Sequence, residues 1–197
     1  MLKKFSNKKI TALMVVLAMV FSFILPIPVK AAEISETKNS NVTEKTDKKT
    51  VNIQILATSD LHGKFMDYDY AQGEESVGGL NQIATVVKEA KKENPNTLVL
   101  DNGDTIQGNY NHLFMNKENP MILAMNTIGY DVFSLGNHEF NFGMDKLHNI
   151  IGQANPNLHV LCGNLYRNEE RVFNPYTIKD VDGIKVAIIG VVTPHIM

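Results

Sequence analysis

One cysteine in 197 residues is too few for an internal disulfide, and too few for the thiolate clusters that hold structural zinc or iron–sulfur centres. Cys162 sits in Val160-Leu161-Cys162-Gly163, which reads as buried strand, so its thiol is expected to be inert core. A surplus of positive charge is missing as well. The chain has 19 Lys+Arg against 21 Asp+Glu, and five of the lysines (3, 4, 8, 9 and 30) fall within the first 32 residues, where there are no acids. The remainder carries 14 basic and 21 acidic residues, a net charge of −7. An acidic balance of this size argues against binding duplex nucleic acid or anionic membranes through non-specific charge. Internal repeats are absent too.

Long hydrophobic runs are scarce, and the one that occurs is at the start. Lys3, Lys4, Lys8 and Lys9 precede the apolar stretch Thr11–Ile27, and Val29-Lys30-Ala31-Ala32 follows with small residues. That order describes a cleavable signal peptide over residues 1–32. Pro26 and Pro28 at its end favour cleavage over an uncleaved membrane anchor. The expected location is outside the cytoplasmic membrane, either secreted or at the cell surface (cell wall or periplasm), with membrane contact only through the leader. Residues 33–50 are rich in Ser, Thr, Asn, Lys and Glu and cannot bury enough surface to offset ordering, so they predict a flexible linker.

From Val51 onward apolar runs alternate with helical periodicity, which predicts a layered α/β domain over 51–197. Strands are expected at Ile53–Thr58, Thr97–Leu100, Val132–Leu135, His159–Cys162, Tyr176–Val181 and Lys185–Val192, with Asp182-Gly183 as a tight hairpin turn. The first three should be buried parallel strands. Helices are expected over Gly79–Glu93, over a segment capped by Asn119-Pro120 and ended by Gly129, and over Met144–Ile151. The final run, Val186 to Met197, reads as a buried-type strand that stops within its following loop.

Three motifs carrying acids and histidines follow the first three strands: Asp60-Leu61-His62, Gly103-Asp104, and Gly136-Asn137-His138-Glu139. Strand ends of an open parallel sheet lie side by side, so residues far apart in sequence converge there. Two carboxylates, an imidazole and an amide oxygen form a hard-to-borderline donor set suited to divalent Mn, Fe, Zn, Mg or Ni. On an extended segment Asp60 and His62 would point to the same side and grip one ion together. Asp104, following a permissive glycine, could bridge two ions roughly 3.5–4 Å apart. Asp101 is the alternative ligand, which would leave Asp104 as a turn residue. Asn137 offers an uncharged oxygen, although Asn after Gly is also a turn signal.

These motifs, within "ATSDLHGKF", "LVLDNGDTIQGN" and "LGNHEFNFG", resemble the calcineurin-like metallophosphoesterases. The wording is most similar to the secreted 2′,3′-cyclic-nucleotide 2′-phosphodiesterase/3′-nucleotidase branch. The resemblance implies a metallophosphoesterase fold of mixed sheets flanked by helices, incomplete at its C-terminus, so that 51–197 would be the N-terminal part of the domain. It implies two divalent metal ions held by Asp60, His62, Asp104 and Asn137, with Asp104 shared between them. His138 would act on the phosphate, stabilising the transition state or protonating the leaving oxygen. Glu139 would brace the loop. In 5′-nucleotidase relatives the third residue after this histidine is an acid; here it is Asn141, a departure that favours the cyclic-phosphodiesterase branch.

The implied activity is hydrolysis of nucleotide or cyclic-nucleotide phosphate esters. The alternatives are a 5′-nucleotidase or nucleotide-sugar hydrolase, and a truncated, non-catalytic surface protein. The family's remaining histidine ligands lie in downstream motifs, and His112, His148, His159 and His195 have no motif around them. The 197 residues alone are therefore expected to hold one ion weakly and to hydrolyse nothing.

Overall fold

The structure, a computed structural model, describes residues 50–69 and 72–196. The signal-peptide reading, and the linker reading up to residue 49, lie outside the described residues. Among the described residues no helix is long and apolar enough to cross a membrane.

Elements follow in the order β1 (Gln54–Thr58), β2 (Tyr68–Asp69), β3 (Glu74–Glu75), α1 (Leu80–Glu93), β4 (Thr97–Asp101), α2 (Pro120–Ile128), β5 (Val132–Ser134), α3 (Met144–Ile151), β6 (His159–Leu161), β7 (Tyr166–Arg167), β8 (Glu170–Arg171), β9 (Tyr176–Val181) and β10 (Ile184–Ile189). Short 3₁₀ turns occupy Asn111–Phe114 and His138–Phe140. Four strands form a parallel sheet in the order β1-β4-β5-β6, and each connection passes through one of the three helices. This is the expected layered α/β arrangement.

The helices begin and end where their capping chemistry dictates. Asn119 Oδ1 accepts from the backbone N–H groups of Met121 (3.1 Å) and Ile122 (3.4 Å), and Pro120 occupies the first helical position, where no donor is needed. Gly129, at φ 85°, closes α2 in the left-handed conformation that suits glycine. Leu80, Val87 and Ala90 of α1, Met121, Ile122 and Met125 of α2, and Leu147 and Ile150 of α3 are all buried. All of these but Ala90 belong to one apolar cluster with Val99 and Phe133 from the sheet and Leu135 just beyond β5. Cys162 is fully buried in it, and burial pushes its thiol pKa up, as an inert core residue requires.

Two strand readings need correction. β1 is parallel but only half-buried: among the described residues it pairs with β4 alone, and its side chains alternate between half-buried and exposed, with Ile55 56% exposed, so one face of the strand is uncovered. The run after Lys185 is not buried-type either. β9 and β10 pair antiparallel as a separate two-stranded unit, and Ile184, Ile189 and Val191 face outward. An apolar run looks the same in sequence whether one face of the strand is covered or both. The hairpin turn itself is as expected: Val181 pairs with Ile184 across Asp182 (φ 53°) and Gly183 (φ 87°). Lys179 of β9 reaches Asp131 at 2.9 Å and ties the hairpin to the residue that leads into β5.

The sheet register sets up the site. Thr58 is level with Asp101, and Asp101 with Phe133, so β1, β4 and β5 end in a row. The three motifs leave the sheet there.

Candidate functional site

Beyond Thr58 the chain turns rather than extends. Asp60 (φ 57°) and His62 (φ 46°) are both left-handed, and Gly63 follows at φ 72°. The expectation of an extended segment with alternating side chains is therefore incorrect. The two side chains share a side for another reason: Leu61 between them is buried, 6% exposed, and its anchoring turns its neighbours outward. Left-handed backbone is costly for Asp and His, and tertiary contacts must hold it. Here the holding is done by a backbone zipper onto the loop after β4. The N–H groups of Asp60, His62 and Gly63 donate to the carbonyls of Gly103 (3.0 Å), Asp104 (2.9 Å) and Thr105 (2.9 Å).

The loops after β4 and β5 cross with no room to spare. Gly103 lies at φ 96°, and a Cβ there would collide with the backbone of Gly136; a Cβ on Gly136 would collide with the Asp104 carboxylate. Only glycine at both positions permits the crossing. Beneath it is Glu139, 1% exposed. Its Oε2 accepts from the N–H groups of Asp104 (2.7 Å) and Gly136 (2.8 Å), and its Oε1 from those of Thr105 (2.7 Å) and Ile106 (3.1 Å). Burial pushes the Glu139 carboxyl pKa up, and these four donors pull it back. Above the crossing, Asp104 Oδ1 accepts from the His138 N–H at 2.8 Å.

Asp60, His62 and Asp104 each present a donor atom within 4.8 Å of the other two, the one such group of three among the described residues. His62 is oriented for this role. Its Nδ1 lies 2.9 Å from Gln107 Oε1, which fixes the proton on Nδ1 and leaves the Nε2 lone pair facing Asp60 Oδ1 at 3.9 Å. Two carboxylates and a neutral imidazole fit one divalent ion of the hard-to-borderline kind. Asn137 opens the 3₁₀ turn beside this group, and the ring of His138 sits edge-on to that of His62 at 5.3 Å between centroids. Asn141 Nδ2 lies 2.9 Å from His138 Nδ1. Donating to Nδ1, the amide puts the ring proton on Nε2.

Four histidines stand apart from this group. His112 and His195 are exposed, His148 lies against Phe173 at 5.4 Å between centroids, and His159 opens β6. Asp101 is not with Asp60 and His62 either. It is 1% exposed and takes hydrogen bonds from Thr58 Oγ1 (2.6 Å), Thr105 Oγ1 (2.8 Å) and the Gly103 N–H (3.0 Å). Burial raises its carboxyl pKa to about 7 against the pull of those donors. Sequence reasoning missed Gln107 altogether. Its position three residues after Asp104 carries no signal until the fold sets it against His62.

The model of the calcineurin-like phosphoesterase family matches residues 53–197. The chain belongs to that family. It is 38% identical over 200 residues to the trifunctional nucleotide phosphoesterase protein YfkN of Bacillus subtilis, a match covering 91% of this chain and 13% of that protein. It is 36% identical over 168 residues to the 2′,3′-cyclic-nucleotide 2′-phosphodiesterase/3′-nucleotidase of Salmonella typhimurium, covering 75% of this chain and 26% of the relative. The crystal structure of the calcineurin-like phosphoesterase YfkN from Bacillus subtilis superimposes with a TM-score of 0.62 at 35% identity, over 72% of this chain and 48% of that one. The chain thus spans about a quarter or less of the length of these curated relatives. Calcineurin-like phosphoesterases bind divalent metal ions, and Asp60, His62 and Asp104 form a candidate site for one.

Proposed function

We infer that this chain serves metal-dependent hydrolysis of nucleotide phosphate esters of the 2′,3′-cyclic and 3′-phosphate type, outside the cytoplasmic membrane. The observation that carries the reading is the convergence of Asp60, His62 and Asp104, from the ends of two adjacent parallel strands, with the His138 imidazole beside them. Asp60 and His62 would hold one divalent ion, Asn137 would contribute to a second, and Asp104 would serve both. When bound, such ions neutralise phosphate charge and supply a water of lowered pKa. The remaining work belongs to the chain. His138 Nε2–H would donate to a phosphate or leaving-group oxygen, a role supported by the hold of Asn141 on Nδ1. Glu139 keeps Asp104 and the Asn137 turn in fixed relation through its four backbone hydrogen bonds. The relatives named above support the nucleotide substrate class, and the basic, apolar, small-residue order of residues 1–32 supports export.

The test is manganese-dependent hydrolysis of 2′,3′-cyclic AMP, 3′-AMP and 5′-AMP by the protein in the form its own cells make. The cyclic and 3′ esters should be turned over ahead of 5′-AMP. Asp104→Asn should abolish turnover and lower metal content, because it removes a charge from the cluster. A preference for 5′-AMP would replace the ester assignment with that of a 5′-nucleotidase. No metal-dependent turnover of any of the three would overturn the enzymatic reading in favour of a binding protein.

A further inference from the structure

A chain of buried amides runs from the start of α2 to the loop that carries Gln107. It begins at Asn119, fully buried, whose Oδ1 is occupied by the N–H groups of Met121 and Ile122. Those groups can only donate, so the amide is oriented: Nδ2 turns away from the helix and donates to Asn111 Oδ1 at 3.1 Å. Asn111, 4% exposed, is oriented in turn, and its Nδ2 donates to the Ile106 carbonyl. Its backbone N–H donates to the Gly108 carbonyl at 3.1 Å. One residue thus holds the peptide carbonyls on either side of Gln107. The Ile106 N–H is taken by Glu139 at 3.1 Å, so Ile106 is fixed at both of its polar groups, and its side chain is fully buried. Gln107 Oε1 then lies 2.9 Å from His62 Nδ1. Between Ile106 and the cap of α2 the chain is irregular except for the 3₁₀ turn Asn111–Phe114, and a loop of that kind needs anchors to stay in one place.

We propose that Asn111 is a positioning residue for the metal site: it fixes the peptide that carries Gln107, and through Gln107 the imidazole of His62. Asn111 gives no atom to the group of Asp60, His62 and Asp104, and both ends of its side-chain amide are engaged within the fold. Buried amides must find partners for their polar atoms or lose stability, so apolar side chains would be the simpler packing between a helix and a loop. What the amides add is direction. The α2 N–H groups, Asn119, Asn111 and the Ile106 carbonyl link in the one sense that satisfies every donor and acceptor. The root of Gln107 is therefore set by the core and not by the exposed part of its loop. The same set of amides extends away from the site. The Asn119 N–H donates to Gln153 Oε1 (2.6 Å), Asn126 Nδ2 donates to the Gln153 carbonyl (2.8 Å), and Asn126 Oδ1 accepts from the Asn155 N–H (2.9 Å). Asn126 stands at the opposite end of this set from Gln107. The inference rests on the reading of His62 as a metal ligand, but its first readout needs no metal.

The test uses the full chain. It reads the ring nitrogens of His62 by their chemical shifts without metal, then manganese affinity by equilibrium dialysis. In Asn111→Ala the ring should populate both tautomers, where wild type shows one, and manganese affinity should fall about tenfold. Asn126→Ala removes side-chain hydrogen bonds of the same kind and should lower the denaturation midpoint, while keeping the single His62 tautomer and the manganese affinity of wild type. Asn119→Ser keeps a side-chain oxygen to cap α2 and drops the link to Asn111. It should shift the tautomers in the same direction as Asn111→Ala, and it replaces that variant in the test if Asn111→Ala does not fold. A single tautomer in the folded variant overturns the proposal. Equal mixing in Asn126→Ala does so as well, since any softening of the core would then free the ring. A wild-type chain with one His62 tautomer and no manganese binding would overturn the metal reading instead, and leave the hold of Asn111 on the ring in place.

Discussion

Two layers of carboxylates lie within a few residues of each other, and they are treated in opposite ways. Below the loop crossing, Asp101 and Glu139 are each 1% exposed, and their oxygens are taken up by hydrogen-bond donors: three for Asp101 and four backbone N–H groups for Glu139. Above it, Asp60 is exposed and Asp104 half-buried, and their oxygens face each other and an imidazole. Residue type does not distinguish the layers; access and donor supply do. A carboxylate surrounded by fixed N–H groups is committed to holding loops in place. One that faces another carboxylate with a single donor of its own, the His138 N–H for Asp104 and the Ser59 hydroxyl for Asp60, keeps acceptor capacity for a cation, which would relieve the repulsion.

Exchanging the properties of the two layers tests the contrast. The largest effect is expected at Glu139. In Glu139→Ala, four backbone donors lose their acceptor in a buried site, and folding stability should fall by about 3–5 kcal/mol. Chemical denaturation would show a lower midpoint with an unchanged slope. A loss near that of an ordinary surface substitution would mean water replaces the carboxylate, and the lower layer is not the brace described here.

His138→Asn comes next. In the catalytically competent protein it should leave metal content intact while cutting turnover by about 10²–10⁴, the usual worth of a proton donor. Metal analysis that found the site emptied would make His138 a ligand instead. A smaller change is expected for Gln107→Leu, which frees the His62 ring without touching a donor atom to the ion. Manganese affinity should drop by about 10–100-fold, with the fold unaltered, and equilibrium dialysis would measure it. Nitrogen chemical shifts of His62 should show both ring tautomers in the variant and one in wild type. Unchanged affinity would show that Leu61 and the backbone zipper alone orient the ring.

The smallest effect is one of slope, at Asp101. Burial holds its folded pKa at about 7, above the ordinary carboxyl value of 3.8. The folded state therefore binds more protons between those values, and the group's contribution to stability, complete below about pH 4, is lost as pH rises toward 7. Asp101→Asn should remove this component, so that thermal stability of the variant gains on wild type as pH rises through that window. The amide still accepts from Thr105 and Gly103, and Thr58 Oγ1 can turn to accept from its N–H₂. A variant that loses ground to wild type as pH rises would show that Asp101 is ionised in the fold and that its donors outweigh desolvation.

Much of the fold was legible because its signals are local. Asn119-Pro120 and Gly129 bound α2 as their capping chemistry predicts, and Asp182-Gly183 makes the expected two-residue turn. The three motifs lie at the ends of neighbouring strands because parallel pairing aligns those ends. The short β2–β3 and β7–β8 hairpins were not foreseen; two residues per strand carry no periodicity to read. Burial of β1 and β10 was overestimated, since coverage of a strand's faces depends on which neighbours it has. The Asp60–His62 segment is a turn where its sequence predicts an extended run, because left-handed backbone at Asp and His is a property of the surrounding contacts, not of those residues.

By itself, then, the sequence determined the alternation of strands and helices, the caps and the hairpin turn, and which residue types stand at three consecutive strand ends. Those depend on backbone propensity and hydrophobic period over a few residues. Only the tertiary structure decided which carboxylates are open, that Asp104 rather than Asp101 joins Asp60 and His62, and that Gln107 sets the ring of His62. Each of these depends on burial and on hydrogen-bond partners about 30 to 50 positions away along the chain, and such distances have no period to reveal them.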